Sequence, residues 1–191
     1  MFLLQKRLLF VHIPKCAGTS VEFFFTGRDG TEAGALKHAT AQESRAAIDG
    51  ISPEIWPKIF KFSVVRNPWA RFLSFFHLVK NAQPDIVFDD WIRAVCSPEG
   101  LVFQGLPVQR SMTEYLCAPD GTMLMDFVGK VETLETDFPV IVERARIAAG
   151  PLPRAMVMQY DRDYRKWYTP ETRDLVAGRF REDIERFGYD Y

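Results

Sequence analysis

The stretch Leu8-Leu9-Phe10-Val11-His12-Ile13-Pro14-Lys15-Cys16-Ala17-Gly18-Thr19-Ser20 decides the fold. An apolar run ends in a Pro-Lys-x-x-Gly-Thr-Ser turn, and a second apolar segment, 21–25, follows directly. This order predicts a buried strand over residues 8–13, a tight loop and the start of a helix. Such a junction directs backbone N–H groups and the positive end of a helix at one point, which favours binding of a phosphate or another oxyanion.

The loop itself carries the side chains of an anion site. Lys15 contributes a full positive charge, and Thr19 and Ser20 contribute hydroxyl donors. The loop differs from a Walker A loop, which reads Gly-x-x-x-x-Gly-Lys-Ser/Thr, because its lysine precedes the glycine. The pattern therefore predicts a phosphate-binding junction that is similar to a P-loop without being one.

A second junction of the same kind begins with the run 60–65, which predicts another buried strand. Pro68 suits the first position of a helix, where no backbone N–H is needed. Ser74 lies roughly 200° around this helix from Phe72. It thus faces away from the apolar stripe, which consists of Trp69, Phe72, Leu73, Phe76 and Val79. Because a guanidinium presents a fork of donors that matches phosphate oxygens, Arg66 and Ser74 are predicted to bind a second phosphate.

The two junctions together resemble the sulfotransferases that use 3′-phosphoadenosine 5′-phosphosulfate (PAPS). Residues 12–20 match their 5′-phosphosulfate loop, His/Arg-x-Pro-Lys-Thr/Cys-Ala-Gly/Ser-Thr-Ser, and residues 65–74 match their 3′-phosphate signature, Val-Arg-Asn/Asp-Pro-x-x-Arg-x-x-Ser. Residues 109–116 and 126–138 are similar to two further segments, Gln-x-x-x-x-x-Tyr-Leu and Phe-Val-Gly-Arg-x-Glu-x-Leu-x-x-Asp-Phe. The likeness is greatest to the carbohydrate group, which includes the heparan and chondroitin uronosyl enzymes and many small bacterial members.

Strands that alternate with helices predict an α/β fold with a mainly parallel sheet, in which ligands bind beyond the carboxyl ends of the strands. The resemblance implies a single sulfotransferase domain over residues 1–191. It also implies that this domain is P-loop-like and has three layers, with the mainly parallel central sheet flanked by helices.

Local signals predict the remaining elements. Thr40 and Glu43 form a capping-box pattern that opens a helix over 41–48. A last helix is expected between Thr169 and Gly188. The other predicted elements are helices at 88–95 and 138–149, strands at 125–131 and 155–158, and loops at 97–108 and 161–168.

The resemblance also implies which residues bind each substrate. The donor is expected to contact Lys15, Cys16, Ala17, Gly18, Thr19 and Ser20 in the first motif, and Arg66 and Ser74 in the second. Arg162 and Tyr164 belong to a segment that is expected to cover the adenine and the 3′-phosphate, although it departs from the Asn-x-Ser pattern of many relatives. Gln109 and Ser111 are expected on the acceptor side, with an ordinary polar loop as the alternative.

The chemistry of the donor assigns the catalytic roles. Sulfuryl transfer depends on in-line positioning and charge stabilisation, so Lys15 and the loop N–H groups are expected to stabilise the leaving phosphate. The acceptor hydroxyl must lose a proton, and a neutral histidine is the natural base near pH 7. His38 lies between the two motifs, where the related carbohydrate enzymes place their catalytic histidine. His12 is the competing candidate and is expected to orient the loop.

Composition limits the classes of partner. The 191 residues are 47% hydrophobic, enough for a sizeable core, and the net charge of −1 gives no basic surface for nucleic acid. No apolar run reaches the roughly 18 to 20 residues of a membrane span, and no cleavage site follows the apolar N-terminus. We therefore expect a cytoplasmic, bacterial protein. The three cysteines are widely spaced, which predicts neither a disulfide framework nor a metal site.

Two other classes remain open. A P-loop-type nucleotide kinase would need Mg²⁺ and a serine or threonine directly after the lysine, where Cys16 stands. A non-catalytic protein that binds 3′,5′-ADP (PAP) or another nucleotide would share the fold without the reaction. The sequence thus predicts PAPS as donor, PAP as product, no metal and a hydroxyl acceptor, a carbohydrate by resemblance. The acceptor's identity and the oligomeric state stay open.

Overall fold

A computed structural model describes residues 1–3, 6–27, 37–96, 106–155 and 160–191. The chain divides into two compact units. Residues 1–65 and 112–157 form the sheet unit, and residues 66–111 and 158–191 form the helical unit. The expectation of one domain over 1–191 stays a prediction.

The sheet unit is built on four strands in the order β1 (Phe2–Leu3), β2 (Leu8–Val11), β3 (Phe60–Val65) and β4 (Phe127–Lys130). β1 pairs antiparallel with β2, whereas β2 with β3 and β3 with β4 pair parallel. Every residue of β2 is buried, as in a strand that is covered on both faces. The α/β class and the mainly parallel sheet predicted from the sequence are thus confirmed.

Eight helices are described in these parts of the chain. In chain order they are α1 (Gly18–Thr26), α2 (Ala41–Asp49), α3 (Pro68–Ala82), α4 (Phe88–Cys96), α5 (Met112–Leu116), α6 (Leu134–Arg144), α7 (Pro170–Arg179) and α8 (Arg181–Phe187). α1, α2, α5 and α6 belong to the sheet unit, and the others belong to the helical unit. Short 3₁₀ turns lie at Trp56–Lys58 and Tyr164–Lys166.

Aromatic side chains hold α1 and α6 against the sheet. Phe10 and Phe62 stack with their ring centroids 5.0 Å apart, and Phe25 of α1 and Phe138 of α6 join the same buried cluster. This packing fixes where α1 begins, because the helix follows β2 after a loop of only six residues, 12–17. The position of that loop is therefore set by buried apolar contacts on either side of it.

Local signals also act as the sequence predicts. At the start of α2, the Glu43 N–H donates to the Thr40 hydroxyl and the Thr40 N–H donates to the Glu43 carboxylate. This is the predicted capping box, and it ends the segment that carries His38.

The helical unit is centred on α3. Residues 68–76 of this helix are all buried, and its apolar side chains pack with Trp91 of α4 and with Phe180. Asn67 caps the helix, because its side-chain oxygen accepts from the N–H groups of Trp69 and Ala70.

Several boundaries differ from the sequence prediction. The helix expected at 138–149 occupies Leu134–Arg144. The expected last helix is divided into α7 and α8 at Phe180, whose φ of −114° and ψ of 31° are not helical. The apolar stripe continues across the break, since Phe180 is buried in the core, and spacing alone therefore could not show it.

Other predictions are only partly covered. Residues 97–105 of the expected loop and 156–158 of the expected strand lie outside the described residues, and Ala155 lies in no strand. Within the described ranges, no helix is long and apolar enough to cross a membrane. The predicted compartment and bacterial origin stay predictions.

Candidate active site

The loop between β2 and α1 has the backbone of an anion-binding site. Lys15 and Ala17 adopt left-handed conformations, with φ of 67° and 59°. Such conformations cost free energy for residues other than glycine, and they are concentrated at functional sites. Ala17 occupies the N-cap position of α1 without a side-chain cap, and the first turn contains no acidic residue. The start of α1 is therefore suited to an anion, which complements its N–H groups and its dipole.

The loop side chains differ in their burial and in their hydrogen bonds. The Cys16 N–H donates to the Ile13 carbonyl at 3.3 Å, and the buried thiol donates to the Pro14 carbonyl at 3.7 Å. The Ser20 hydroxyl accepts from the Ala155 N–H at 3.1 Å. Lys15 and Thr19 are half-buried. These hydrogen bonds of Cys16 and Ser20 thus hold the loop in shape, and the roles of both residues toward the donor stay predictions.

His12 supports the loop from the inside. Its side chain is only 4% exposed, and a Cβ atom at position 18 would overlap its ring, so Gly18 is required there. Its Nδ1 lies 3.0 Å from Oε1 of Glu22 on α1. The two groups are in close contact but lack the alignment of a straight hydrogen bond. The expected loop-orienting position of His12 agrees with this geometry.

His38 lies against the same strand end. Its Nδ1 is 3.1 Å from the His12 carbonyl oxygen, and the two rings meet edge to face with centroids 4.7 Å apart. Because a carbonyl oxygen can only accept, Nδ1 carries the hydrogen, which leaves the lone pair of a neutral imidazole on Nε2. The structure thus brings together His38 and the strand end that leads into the loop.

The protonation state of His38 suits a base. Burial lowers its pKa below the ordinary value of 6.5, and the charges of His12 and Lys37 lower it further. The hydrogen bond to the His12 carbonyl and the Glu22 carboxylate act in the opposite direction without outweighing them. The imidazole is therefore neutral at pH 7, as proton abstraction requires.

Sequence analysis missed Glu22. Its side chain is 2% exposed, although the segment 21–25 was expected to be apolar. Burial alone would raise its pKa, but the His12 contact and the positive charges of His12, the N-terminal amine and Lys37 outweigh burial and lower it. The signal that could have found it is its spacing: Glu22 follows Gly18 by four residues, so both lie on one face of α1.

The second motif lies in the helical unit. Arg66 is half-buried, and Ser74, which was expected off the apolar stripe, is only 6% exposed. The Asn67 amide donates to the Asp190 carbonyl at 2.8 Å and to the Tyr164 hydroxyl at 3.3 Å. Tyr164 therefore contacts the motif, whereas Arg162 is exposed to solvent.

The third motif segment is tied to α3 by Arg71. This arginine is 1% exposed and donates to the carbonyls of Pro107 at 3.2 Å and Arg110 at 3.1 Å. The Gln109 amide accepts from the Leu106 N–H at 3.1 Å and donates to the Val95 carbonyl at 3.3 Å. Both ends of the Gln109 side chain thus fold the turn. The acceptor roles of Gln109 and Ser111 stay predictions.

The fourth segment joins β4 to α6. One carboxylate oxygen of Asp137 accepts from the Lys130 N–H at 2.8 Å and from the Thr133 hydroxyl at 2.6 Å. A Cβ atom at position 129 would lie 3.2 Å from the Asp137 Cβ, which favours Gly129 there. These contacts hold the end of β4 against the first turns of α6, which is a structural role for the segment.

Two further features lie apart from the predicted site residues. An open cleft in the helical unit contains none of them; it is lined by Gln83, Pro84, Asp85, Ile86, Asp90, Trp91 and Ala94. Among the described residues, no three His, Cys, Asp or Glu side chains group as metal ligands would. The expectation of a reaction without metal is not tested by this and stays a prediction.

Comparison with known protein families gives a match along nearly the whole chain. The family is described as "Sulfotransferase family", and its model matches residues 3–190. No curated protein and no solved structure matches the chain.

Proposed function

Since the chain belongs to the sulfotransferase family and is thus a transferase of sulfuryl groups, we propose that it moves the sulfuryl group of PAPS to a hydroxyl group of a carbohydrate. The observation that carries the proposal is the hydrogen bond of 3.1 Å from His38 Nδ1 to the His12 carbonyl. It holds the His38 imidazole, which burial keeps neutral, at the strand end that leads into the Lys15 loop. The family also supports a P-loop-like fold with three layers.

The donor is proposed to bind with its phosphosulfate on the loop. The N–H groups of Gly18, Thr19 and Ser20 at the start of α1, together with the Lys15 ammonium, would neutralise its oxygens. The left-handed backbone at Lys15 and Ala17 supports this assignment, because strained backbone persists where a site needs it. The motif in the sequence supports Arg66 and Ser74 for the 3′-phosphate, with Tyr164 and Arg162 near the nucleoside.

The proposed reaction is an in-line displacement at sulfur. The acceptor oxygen forms a bond to sulfur while the bond between sulfur and the 5′-phosphate oxygen breaks, and the electron pair of that bond stays on the PAP product. The acceptor proton passes to Nε2 of His38. Lys15 offsets the negative charge that develops on the departing oxygen.

Ligand-dependent thermal stability tests the donor. PAP at about 100 times its dissociation constant should stabilise the protein by roughly 2.7 kcal/mol, without added divalent metal. 5′-AMP, which lacks the 3′-phosphate, should stabilise it less. Equal stabilisation by PAP and 5′-AMP would contradict the assignment of Arg66 and Ser74 to the 3′-phosphate. Stabilisation by ATP–Mg²⁺ alone would favour a kinase.

Turnover tests the reaction itself. We expect release of PAP from PAPS, and transfer of labelled sulfate, when a panel of carbohydrate hydroxyl acceptors is supplied. Sulfation of a lipid or a small metabolite in place of every carbohydrate would correct the acceptor class. PAP binding without PAP release for any acceptor would show a non-catalytic nucleotide-binding protein.

A further inference from the structure

A buried carboxylate next to an anion-binding loop needs a reason. Glu22 and His12 are 2% and 4% exposed, and their side chains meet at 3.0 Å inside the sheet unit. Burying a charge is costly unless it is paired, and like charges near an anion weaken its binding. Among the described residues, neither carboxylate oxygen of Glu22 has a well-aligned hydrogen bond. His12 is its close partner, with Lys37 and the N-terminal amine acting over a longer range.

His12 touches both parts of the candidate site. One side of its ring lies against Gly18, where a Cβ atom would overlap it. Its edge-to-face contact with the His38 ring has a centroid distance of 4.7 Å. Its own carbonyl accepts from His38 at 3.1 Å. The orientation of the His12 ring therefore affects both the loop at Gly18 and the position of His38.

We propose that Glu22 is a positioning residue that acts through His12: its carboxylate fixes the His12 ring between Gly18 of the loop and the ring of His38. The inference rests on the proposed function only where it treats His38 as the base. Because a carboxylate oxygen accepts, a contact of 3.0 Å with Nδ1 of His12 favours a hydrogen on that nitrogen. The carbonyl contact likewise requires a hydrogen on Nδ1 of His38.

Nitrogen NMR of the protein labelled with ¹⁵N-histidine tests this geometry without any substrate. The chain has three histidines, so variants of His38 and of His77 in the helical unit assign the signals. We expect Nδ1 to be protonated in both His12 and His38 at neutral pH. An unprotonated Nδ1 in either residue would overturn the proposal, and the protonation states themselves are read on the parent protein.

Substitution of the carboxylate tests its consequence. Glu22→Gln keeps the shape of the side chain but removes its charge, so we expect turnover of PAPS to fall about tenfold, equivalent to about 1.4 kcal/mol. The KM for PAPS should change less than the turnover, and the His12 and His38 signals should broaden or double. Glu54→Gln is the matched control, because Glu54 is an exposed glutamate of the same unit that pairs with Lys58.

The readouts separate this inference from the proposed function. Glu22→Gln with parental turnover and parental histidine signals would overturn the positioning role and leave the sulfotransferase assignment intact. A parent protein that neither binds PAP nor consumes PAPS would remove the proposed reaction, while the NMR result would still decide the geometry. A lower melting temperature with unchanged turnover would show that Glu22 is structural only, which also overturns the proposal.

Discussion

The loop of the sheet unit, residues 12–17, and the second motif, residues 65–74, called here the α3 motif, both contain basic and polar residues. The surroundings of these residues differ between the two regions. In the loop, backbone strain at Lys15 and Ala17 is retained, and polar side chains from the loop, α1 and the His38 segment meet at His12. In the α3 motif, Asn67 caps the helix and Arg71 binds two carbonyls. The loop thus keeps an arrangement that does little for the fold, whereas Asn67 and Arg71 of the α3 motif stabilise the helical unit.

The difference teaches how motif residues can be sorted before any assay. Strained backbone beside buried polar side chains contributes little to the free energy of folding, so such an arrangement points to function. A buried residue whose side chain binds backbone carbonyls, as Arg71 does, contributes to stability directly. Substitutions in the loop should therefore change rates, and substitutions in the α3 motif and its partners should change melting temperatures.

His38→Ala should give the largest change. Loss of a general base typically costs on the order of 100 to 10,000-fold in rate, so transfer should nearly vanish while PAP affinity and folding remain. The measurement is the steady-state rate of PAP release together with a PAP titration. If His38→Ala retains transfer within about threefold while His12→Ala abolishes it, the base has been assigned to the wrong histidine.

The pH profile sharpens the same comparison. Burial lowers the pKa of His38 below 6.5, so the rate should be constant at neutral pH and fall as the pH drops through that lowered value. This fall in rate at low pH should be absent in His38→Ala. Because the folded state holds the proton less tightly than the unfolded chain, the contribution of His38 to stability is complete above about pH 6.5 and is lost as the pH falls through the folded pKa.

Lys15→Ala should rank next. A donor that acts where charge develops in the transition state typically contributes on the order of 100 to 1,000-fold. PAP affinity should weaken less than the rate, since the loop N–H groups remain. Lys58→Ala removes an exposed lysine of the same unit and should leave the rate unchanged. Normal turnover of Lys15→Ala would mean that the loop does not bind the phosphosulfate.

Arg71→Met should act on stability. It removes the hydrogen bonds of a guanidinium to two backbone carbonyls; hydrogen bonds to charged groups contribute about 1.5–3 kcal/mol each, so the free energy of unfolding should fall by on the order of 3 kcal/mol. The melting temperature should drop by about 6–12 °C for a chain of this size. Arg93→Met, which removes an exposed arginine paired with Glu171 and Asp90, should shift it little. Equal shifts for the two variants would break the contrast between the regions.

The sequence was sufficient for features that depend on neighbours in the chain. The junctions after residues 13 and 65, the capping box at Thr40, and the buried core strands follow from local pattern and composition. The position of His38 was expected from a resemblance, and the structure places it against His12. The junctions and the capping box were predictable because apolar spacing and caps act within one or two turns, whereas the role of His38 stays a prediction.

The features that were missed depend on partners far apart in the chain. Ser20 binds the N–H of Ala155, and Arg71 binds carbonyls more than 30 residues away. Glu22 lies in an apolar segment and is buried with its carboxylate 3.0 Å from the His12 ring. Hydrophobic periodicity treats every polar residue as exposed. It therefore cannot identify a buried polar residue whose partner lies on another segment.

Substitution of Gln109 should give the smallest change in stability. It tests whether a motif residue of the helical unit acts on folding or on substrate binding. Its side chain makes two hydrogen bonds to backbone within the helical unit, each contributing about 0.5–1.5 kcal/mol. Gln109→Ala should therefore lower the melting temperature by a few degrees, at about 2–4 °C per kcal/mol, and leave the KM for the acceptor unchanged. Gln83→Ala, at an exposed glutamine of the same unit, should change neither quantity. A rise in the KM for the acceptor at an unchanged melting temperature would instead place Gln109 with Lys15 and His38, because only contact with the substrate could separate the two readouts in that direction.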